Sequence, residues 1–339
     1  MKALVMREPG STSIEEVAEP EMKQGEALLR VRRIGLCGSD LNSFRGKNPL
    51  VSFPRILGHE VAATIVALSQ EHPHLLIGMD VTLSPYTSCN RCAACRNGRN
   101  NACQWNETLG VQRDGALAEY ISMPMEKLYP ANLSLQELCL VEPLTVGFHA
   151  VARGQVTKGD TVAVLGCGGV GLGAIAAARF KNATVIAIDL EDAKLAIAHE
   201  AGASHTIHSK RQDLSAALAE LTDGVGPSVV VEAIGTPATF LAAVEEVAYT
   251  GRVVYIGYAK EPVMYDTKLF VRKEIDIRGA RNAVSEDFRD VIQMLQRHQF
   301  PVESTVNTIV SLAEAPQVLS DWSANPGKFT KIMINLDHV

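Results

Sequence analysis

Four cysteines stand close together in one short segment, at Cys89, Cys92, Cys95 and Cys103. Clustered cysteines in a chain without a disulfide-rich composition are typical of metal sites, and structural zinc often takes four cysteine ligands. An iron–sulfur cluster also uses closely spaced cysteines, but TSCNRCAACRNG lacks the proline that often follows the last cysteine of a ferredoxin run. A chance group of free thiols is the third interpretation. We expect structural zinc, which would hold a lobe together and leave no ligand position for a substrate.

A glycine-rich turn is the second candidate site. Gly166, Gly168 and Gly171 form GxGxxG between the apolar run TVAVL and an alanine-rich run. In nucleotide-binding folds these glycines allow the turn, the approach of a pyrophosphate and the close packing of helix on strand. Asp189 ends the next apolar run, where a carboxylate would bond the ribose hydroxyls. The alternative is a turn without a ligand, and the order of strand, helix and acid favours the nucleotide site.

The predicted cofactor is NAD rather than NADP. Asp189 would repel a 2′-phosphate, and the residues that follow it, LEDA, are acidic. Lys194 is nearby and is interpreted as a solvated helix residue. The expected cofactor-binding residues are Gly166, Gly168, Gly169, Val170, Gly171 and Asp189.

Two patterns follow one another along the chain and would supply the elements that hold these sites. The first 150 residues consist of short strand-like runs with no long amphipathic helix, which predicts a β-rich unit. The composition changes after about Thr145, and from Thr161 onward apolar runs alternate with alanine-rich helical runs, as in a parallel sheet covered on both faces. The C-terminal part holds one predicted helix, SEDFRDVIQMLQRH, and strand-like pieces such as KFTKIMINL. The expected plan is a β-rich unit, a doubly wound α/β unit and a C-terminal return.

Composition and charge exclude some partners. The net charge of −6 at pH 7 argues against a nucleic acid or an anionic membrane as partner. The N-terminal MKALVMREPG lacks the apolar core of a secretory signal, and no run of about 18 apolar residues predicts a spanning helix. Seven cysteines, four of them clustered, fit a reducing compartment. We therefore expect a cytoplasmic protein that binds a small molecule.

The chain resembles the zinc-containing medium-chain dehydrogenase/reductase family over essentially its whole length. The matching motifs, besides the four cysteines, are GLCGSD (35–40), GHE (58–60), GALAEY (115–120), VEPLTVGFHA (141–150) and GCGGVG (166–171). The resemblance implies a GroES-like β-rich catalytic domain over 1–145, to which 286–339 return, and a Rossmann NAD-binding domain over 146–285. Relatives are commonly dimers or tetramers, so a homo-oligomer is expected, with the strand RVVYIGY as a contact edge by analogy.

The resemblance also implies a second, catalytic zinc, which makes two zinc ions per chain. Cys37 and His59 match two of its ligands, and Glu142 occupies the acidic position of the polyol-dehydrogenase branch, where other alcohol dehydrogenases have a cysteine. Glu60 is the family's neighbouring carboxylate, and the sequence leaves open whether Glu60 or Glu142 is the resting third ligand. In isolation Cys37 would be interpreted as a small buried residue and His59 as a loop histidine; their motifs favour the metal.

The implied reaction is hydride transfer from an alcohol to the nicotinamide, in which zinc would act as a Lewis acid that lowers the pKa of the substrate hydroxyl. Asp40 is expected to orient His59 through a hydrogen bond. Ser39 is expected to be the first hydroxyl of the proton-exit path. Many relatives carry a histidine where this chain has Asn42, and because asparagine does not titrate, the rest of the relay stays open.

Two segments of the sequence bear on the substrate. VEPLTVG favours polyhydroxylated substrates, and GARNAVSEDF (279–288) resembles sugar-acid dehydrogenases of the L-galactonate 5-dehydrogenase type. Arg281 could then bind a carboxylate, since a guanidinium offers a planar pair of donors, with Asn282 beside it. Equally, both residues could contact the cofactor or form a surface turn. The rival functions are an L-threonine 3-dehydrogenase or another alcohol dehydrogenase of the family and, in a different class, a zinc- and NAD-binding sensor without turnover.

Overall fold

The computed structural model describes residues 1–337, which form two compact units. The first unit comprises residues 1–142 and the chain from Val302 onward, and the second comprises Pro143–Pro301. The domain bounds expected from the sequence, 1–145 with 286–339 and 146–285, stay a prediction. No helix among the described residues is long and apolar enough to cross a membrane.

The first unit is rich in β structure. Its elements before residue 135 are β1 (Lys2–Glu8), β2 (Ser11–Glu16), β3 (Glu26–Gly35), α1 (Gly38–Phe44), β4 (Arg55–Ile56), β5 (Glu60–Leu68), β6 (Asp80–Leu83), α2 (Ala93–Arg96), β7 (Tyr120–Pro124) and β8 (Leu128–Pro130). A long helix, α3 (Leu135–Arg153), follows and contains the boundary between the units.

The second unit alternates strands with helices. After α3 it contains β9 (Thr161–Leu165), α4 (Gly169–Phe180), β10 (Thr184–Asp189), α5 (Asp192–Glu200), β11 (His205–His208), α6 (Leu214–Leu221), β12 (Val229–Glu232), α7 (Pro237–Glu246), β13 (Arg252–Tyr255), α8 (Lys268–Lys273), β14 (Asp276–Gly279) and α9 (Ser285–Gln296). The chain then returns to the first unit with α10 (Val302–Thr305), β15 (Thr308–Ser311), α11 (Ala315–Ala324) and β16 (Ile332–Asn335).

A seven-stranded sheet organises the first unit around β3, the longest strand. Its order is β15-β16-β3-β5-β6-β8, with β7 paired to β3 as well, and a three-stranded sheet β2-β1-β4 accompanies it. Leu29 and Val31 of β3 are fully buried, as are Ile65 of β5 and Ile334 of β16, because alternate side chains of these strands face one core. The antiparallel pairing of Ile334 with Ile34 seats the C-terminal strand beside β3.

The second unit is a parallel six-stranded sheet with the order β11-β10-β9-β12-β13-β14. Numbered within the unit this is 3-2-1-4-5-6, the order of the doubly wound dinucleotide-binding fold. β12 consists of fully or almost fully buried residues, VVVE, as expected for a strand covered on both faces. The fold class expected from the sequence, a β-rich GroES-like unit with a Rossmann unit, is confirmed.

Three expectations about individual elements are wrong. A 19-residue helix, α3, begins at Leu135 although no long helix was expected before residue 150, and Pro143 within it explains why its pattern is not helical. The C-terminal part contains a second substantial helix, α11, besides α9. The strand in RVVYIGY, β13, pairs with both β12 and β14, so it lies inside the sheet, and the edge strand on that side is β14.

The structure explains why the motif VEPLTVGFHA has a glycine at position 147. A Cβ atom on Gly147 would lie 2.1 Å from the backbone nitrogen of Ala174, so α3 and α4 approach too closely here for any larger residue. A Cβ on Gly173, in α4, would lie 2.8 Å from the carbonyl oxygen of Leu144. The two helices are therefore in backbone contact through glycines on both sides.

We predict that Gly147→Ala lowers the free energy of unfolding by about 1–3 kcal/mol, because backbone atoms must move to admit the methyl group. Gly159→Ala is the matched control, since a Cβ there meets nothing within 4 Å, and it should change stability by less than about 0.5 kcal/mol. Urea denaturation of the two variants measures the difference. Equal stabilities would show that the helices separate without cost.

Candidate metal centres and cofactor loop

The four clustered cysteines converge in the first unit. The Sγ atoms of Cys89, Cys92, Cys95 and Cys103 all lie within 4.8 Å of one another. Cys92 Sγ is 3.5 Å from Cys95 Sγ and 3.9 Å from Cys103 Sγ. A tetrahedral zinc with Zn–S bonds of about 2.3 Å has a sulfur–sulfur edge of about 3.8 Å, so the spacing of these donors fits such an ion.

Backbone amides around the four cysteines favour thiolates. The N–H groups of Cys89 and Trp105 donate to Cys103 Sγ, each at 3.3 Å, and that of Cys92 donates to Cys89 Sγ at 3.3 Å. Hydrogen bonds from the backbone of Cys95 and Gln104 lower the pKa of Cys92 to about 6, whereas burial raises the pKa of Cys95 to about 11. The group therefore supplies sulfur donors and the amides that stabilise their charge.

A second group of donors lies around the start of α1 and β5. Cys37 caps the N-terminus of α1, and His59 and Glu60 are the last two residues of the GHE motif that leads into β5. One ligand atom from each of these three residues lies within 4.8 Å of the others. His59 is 5% exposed and Glu60 is 1% exposed, so this is a buried set of sulfur, nitrogen and oxygen donors.

Lys331 is a member of this cluster that the sequence did not reveal. It is buried directly before β16, and its Nζ lies 2.7 Å from both carboxylate oxygens of Glu60 and 3.3 Å from the carbonyl oxygen of Leu36. Burial lowers the pKa of Lys331, but the Glu60 charge outweighs burial and raises it overall. An isolated lysine ahead of an apolar strand is the only signal in the sequence, because its partner lies far away along the chain.

Gly35 shows how closely the chain packs around Glu60. A Cβ atom on Gly35 would lie 2.0 Å from Glu60 Oε2. The glycine at the start of GLCGSD therefore admits the carboxylate that Lys331 holds.

Glu142 is a further buried carboxylate near these three donors, and Tyr86 anchors it. The Tyr86 hydroxyl donates a hydrogen bond to Glu142 Oε1, and both side chains are buried. Burial raises the pKa of Glu142, and burial and the Glu142 charge together hold the pKa of Tyr86 well above its usual range. The sequence did not mark Tyr86, which looks like an ordinary residue of the turn after β6.

Asp40 and Ser39 lie in the first turn of α1. Asp40 Oδ2 accepts from the Cys37 backbone N–H at 2.9 Å, but Oδ1 is 4.0 Å from His59 Nδ1, so the expected hydrogen bond to the imidazole is not formed. Burial lowers the pKa of His59, but the Asp40 charge and a hydrogen bond with Cys37 outweigh burial and raise it well above its usual value. Asn42 follows in the same helix and is half-buried.

The cluster fits a divalent cation on two observations. Ser39 Oγ, Asp40 Oδ1 and His59 Nδ1 are buried with no hydrogen-bond partner within residues 1–337. Burial lowers the pKa of His59, but the charge of Asp40, the interactions with Cys37 and the charge of Glu142 raise it overall, so the negative charge around the imidazole favours a cation. Thiolate, imidazole and carboxylate are the donors that zinc prefers in catalytic sites.

The glycine-rich turn lies in the second unit between β9 and α4. Gly166 has φ of +100°, which favours glycine, and a Cβ on Gly171 would lie 1.8 Å from the Gly166 carbonyl oxygen. Gly168 caps the N-terminus of α4, which Gly169 and Val170 begin, and no atom lies within 4 Å of a Cβ placed on Gly168. The exposed amides of a helix N-terminus beside open space suit a pyrophosphate.

Asp189 ends β10 and is bound to the turn itself. Its Oδ2 accepts from the Cys167 N–H at 2.8 Å, and its Oδ1 accepts from the N–H groups of Leu190 and Glu191 at 2.7 and 3.2 Å. Lys194 Nζ lies 3.9 Å from Oδ1 and its side chain is 32% exposed, so Lys194 pairs with Asp189 rather than being fully solvated.

Arg281 and Asn282 lie in the second unit, in the loop between β14 and α9. Arg281 is exposed, and Asn282 adopts a φ of +54°. A positive φ at asparagine is typical of a turn. Their role in binding a substrate stays a prediction.

We predict that Lys331→Met lowers the free energy of unfolding by about 3–5 kcal/mol, because it leaves the Glu60 carboxylate buried without its partner. The matched control is Lys23→Met at an exposed position of the same unit, which should change stability by less than about 0.5 kcal/mol. Chemical denaturation measures both. A loss of under about 1 kcal/mol for Lys331→Met would contradict the importance of the pair.

Comparison with known proteins identifies the family. The family model described as alcohol dehydrogenase GroES-like domain matches residues 23–133, and the model described as zinc-binding dehydrogenase matches residues 169–297. The chain is 30% identical to an L-galactonate-5-dehydrogenase of Escherichia coli K12, covering 91% of this chain and 94% of the relative. It is 36% identical to a sorbitol dehydrogenase of Bacillus subtilis, covering 82% and 81%.

A solved structure agrees with these relatives. An alcohol dehydrogenase of Escherichia coli CFT073 in complex with NADH has a TM-score of 0.91, with 27% identity and 99% of both chains covered. The two family models together match segments of both units of the fold. The chain therefore belongs to the zinc-containing medium-chain dehydrogenase/reductase family and is an oxidoreductase of the alcohol dehydrogenase type.

Proposed function

We propose that this chain is an NAD-dependent zinc dehydrogenase that oxidises a secondary hydroxyl of a polyol or sugar acid, such as a hexonate. The observation that carries the proposal is the convergence of Cys37, His59 and Glu60 within 4.8 Å. A protein that only needed structural metal would have no reason to keep a second buried set of mixed donors. This separates the proposal from its rival in another class, a sensor that binds zinc and NAD without turnover.

The residues of the cluster divide the work of a catalytic metal site. Cys37 and His59 would hold the zinc, with a third position that falls to one of two buried carboxylates, Glu60 or Glu142. Zinc in such a site supplies Lewis acidity toward the substrate hydroxyl. Lys331 holds both oxygens of Glu60, and Tyr86 holds Glu142, so the two carboxylates are placed before any substrate arrives.

Ser39 is proposed as the first acceptor of the hydroxyl proton. Its Oγ is buried and without a hydrogen-bond partner among the described residues, so it has both donor and acceptor capacity for a substrate. Asn42 lies on the same helix and does not titrate, so the onward path does not use a proton held on that side chain.

The substrate class rests on the relatives and on a cationic side chain. The two relatives described above are named for L-galactonate and for sorbitol, which are both polyhydroxylated. Arg281 would pair with the carboxylate of a sugar acid through its planar guanidinium, next to Asn282.

A homo-oligomer, dimer or tetramer, is proposed as well, and the edge strand β14, where Ile277 is 42% exposed, is a surface that oligomerisation would cover.

We predict that kcat/KM with NAD exceeds that with NADP by at least about tenfold. Asp189 is a carboxylate at the end of β10, where it would face a 2′-phosphate, and like charges brought together cost several kcal/mol. Initial rates with both cofactors at one substrate concentration measure the ratio. The ion pair with Lys194 opposes this preference, and equal rates would mean that Lys194 neutralises Asp189 toward the phosphate.

The substrate prediction is tested by offering the protein a panel of hexonates, polyols, L-threonine and primary alcohols. The reduction of the cofactor measures activity with each compound. Activity should be highest with a secondary hydroxyl of a hexonate or polyol. Activity confined to threonine or to primary alcohols would refute the substrate class.

The metal prediction distinguishes the enzyme from the sensor. We expect about two zinc ions per chain in the purified protein and a loss of turnover of at least about a hundredfold in Cys37→Ala, because a catalytic zinc needs three protein ligands. Metal analysis and steady-state rates measure both. One zinc per chain with unchanged turnover in Cys37→Ala would refute the catalytic site and leave only the structural one.

A further inference from the structure

Tyr86 lies between the four-cysteine lobe and the group of candidate catalytic ligands in the first unit. Its ring is buried, with 6% of the residue exposed, and it lies in the turn between β6 and the four-cysteine lobe, defined here as residues 88–106. Its hydroxyl donates to Glu142 Oε1. The backbone of Tyr86 thus lies at the base of the lobe, and its hydroxyl reaches the carboxylate of Glu142 beside the catalytic donors.

The base of the lobe fixes the backbone of Tyr86. Residues 85–87 lie antiparallel to 107–109, with a bridge between Tyr86 and Thr108. The N–H of Leu109 donates to the Pro85 carbonyl at 3.1 Å, and the N–H of Thr87 donates to the Glu107 carbonyl at 3.2 Å. The Thr87 hydroxyl also accepts from the Glu107 N–H at 2.7 Å. The lobe therefore begins and ends at this short ladder, which contains Tyr86.

The far end of the contact lies among the candidate catalytic ligands. Glu142 interacts electrostatically with both His59 and Glu60, and all three residues are buried, so they share one environment. Glu142 is 3% exposed, which means that solvent cannot replace the hydrogen bond that Tyr86 donates.

We propose that Tyr86 is a positioning residue that couples the four-cysteine lobe to the catalytic metal site by fixing the orientation of Glu142. The proposal rests on the proposed function and on the alternative within it in which Glu142, rather than Glu60, is the third zinc ligand. The lobe then has a task besides its own folding: its closed, metal-bound form holds the ladder at 85–87, the ladder holds Tyr86, and Tyr86 holds Glu142.

The physical basis is the cost of freedom at a buried ligand. A carboxylate without this hydrogen bond samples more rotamers and must be ordered when it acts on a metal, and hydrogen bonds from outside the ligand set commonly change metal affinity or activity by 10–100-fold. The phenol is suited to this role because its rigid ring spans the distance with few rotatable bonds. Phenylalanine would keep the ring and remove only the hydroxyl.

The first experiment uses the intact protein with cobalt exchanged into the catalytic site. Tyr86→Phe should shift the visible absorption of the bound cobalt and speed the loss of catalytic metal to a chelator by about tenfold, while the lobe metal stays in place. Tyr120→Phe, a hydroxyl deletion on β7 of the same unit, is the matched control and should leave both readouts unchanged. A merely structural role for the Tyr86 hydroxyl would lower stability without moving the cobalt spectrum.

The second experiment tests the coupling to the lobe. Thr87→Val removes the side-chain acceptor of Glu107 N–H at the lobe base, and Cys103→Ser weakens the lobe's metal site. Each should shift the cobalt spectrum when Tyr86 is present and have no further effect when combined with Tyr86→Phe, as a double-mutant cycle requires for groups that act in series. Thr87→Val retains all four cysteines, so it remains informative if Cys103→Ser does not fold.

The outcomes separate this inference from the proposed function. Protein that takes up no cobalt at Cys37 and His59 would refute the catalytic metal site itself. Cobalt binding with the same spectrum and dissociation rate in wild type and Tyr86→Phe would overturn only the role of Tyr86. A spectral shift in Tyr86→Phe with additive effects of Thr87→Val would overturn the coupling to the lobe.

Discussion

The ion pair between Lys331 and Glu60 is the constraint around which the first unit is built. Both groups are buried, and a buried charge without its partner costs several kcal/mol, so Lys331, directly before β16, favours the register in which β16 pairs with β3. The same carboxylate requires a glycine at position 35 and accepts a neighbouring histidine and cysteine. The C-terminal strand therefore completes the sheet and also supplies the cation that the cluster needs before a metal is bound.

The two groups of candidate metal ligands differ in whether they leave a coordination position open to a substrate. Four sulfurs with spacings near a tetrahedral edge fill the coordination of one ion and exclude a substrate. The second group has one sulfur, one imidazole and one carboxylate, Glu60, which Lys331 holds, and Tyr86 holds the nearby carboxylate of Glu142. The conspicuous four-cysteine pattern identifies the family, whereas the chemistry depends on residues that are far apart in sequence. Tyr86 joins the two groups, so the lobe and the catalytic cluster are not independent.

Sequence reasoning located groups of residues that local spacing brings together, and it missed residues whose partners are distant in the chain. The strand order of the second unit follows from alternating runs, and the backbone at Gly166 and Gly171 needs glycine for reasons that the motif already implies. Lys331 and Tyr86 escaped because a single lysine or tyrosine carries no periodic signal, and only the fold brings it to its carboxylate. Helix α3 was not predicted because Pro143 interrupts its helical pattern. The close packing of α3 against α4 offsets the hydrogen bond that the proline removes.

At Asp189, the charge that would select the cofactor and the hydrogen bonds that shape the loop belong to one side chain. Its carboxylate accepts hydrogen bonds from the N–H groups of Cys167, Leu190 and Glu191, and the first of these lies inside the glycine-rich turn. A substitution that removed the charge in order to admit a 2′-phosphate would also release the turn that we propose to hold the pyrophosphate. Lys194 offers another route, because it lies 3.9 Å from the carboxylate and contributes charge without holding the turn. Discrimination between the two cofactors can therefore be adjusted at Lys194 with the backbone of the turn intact.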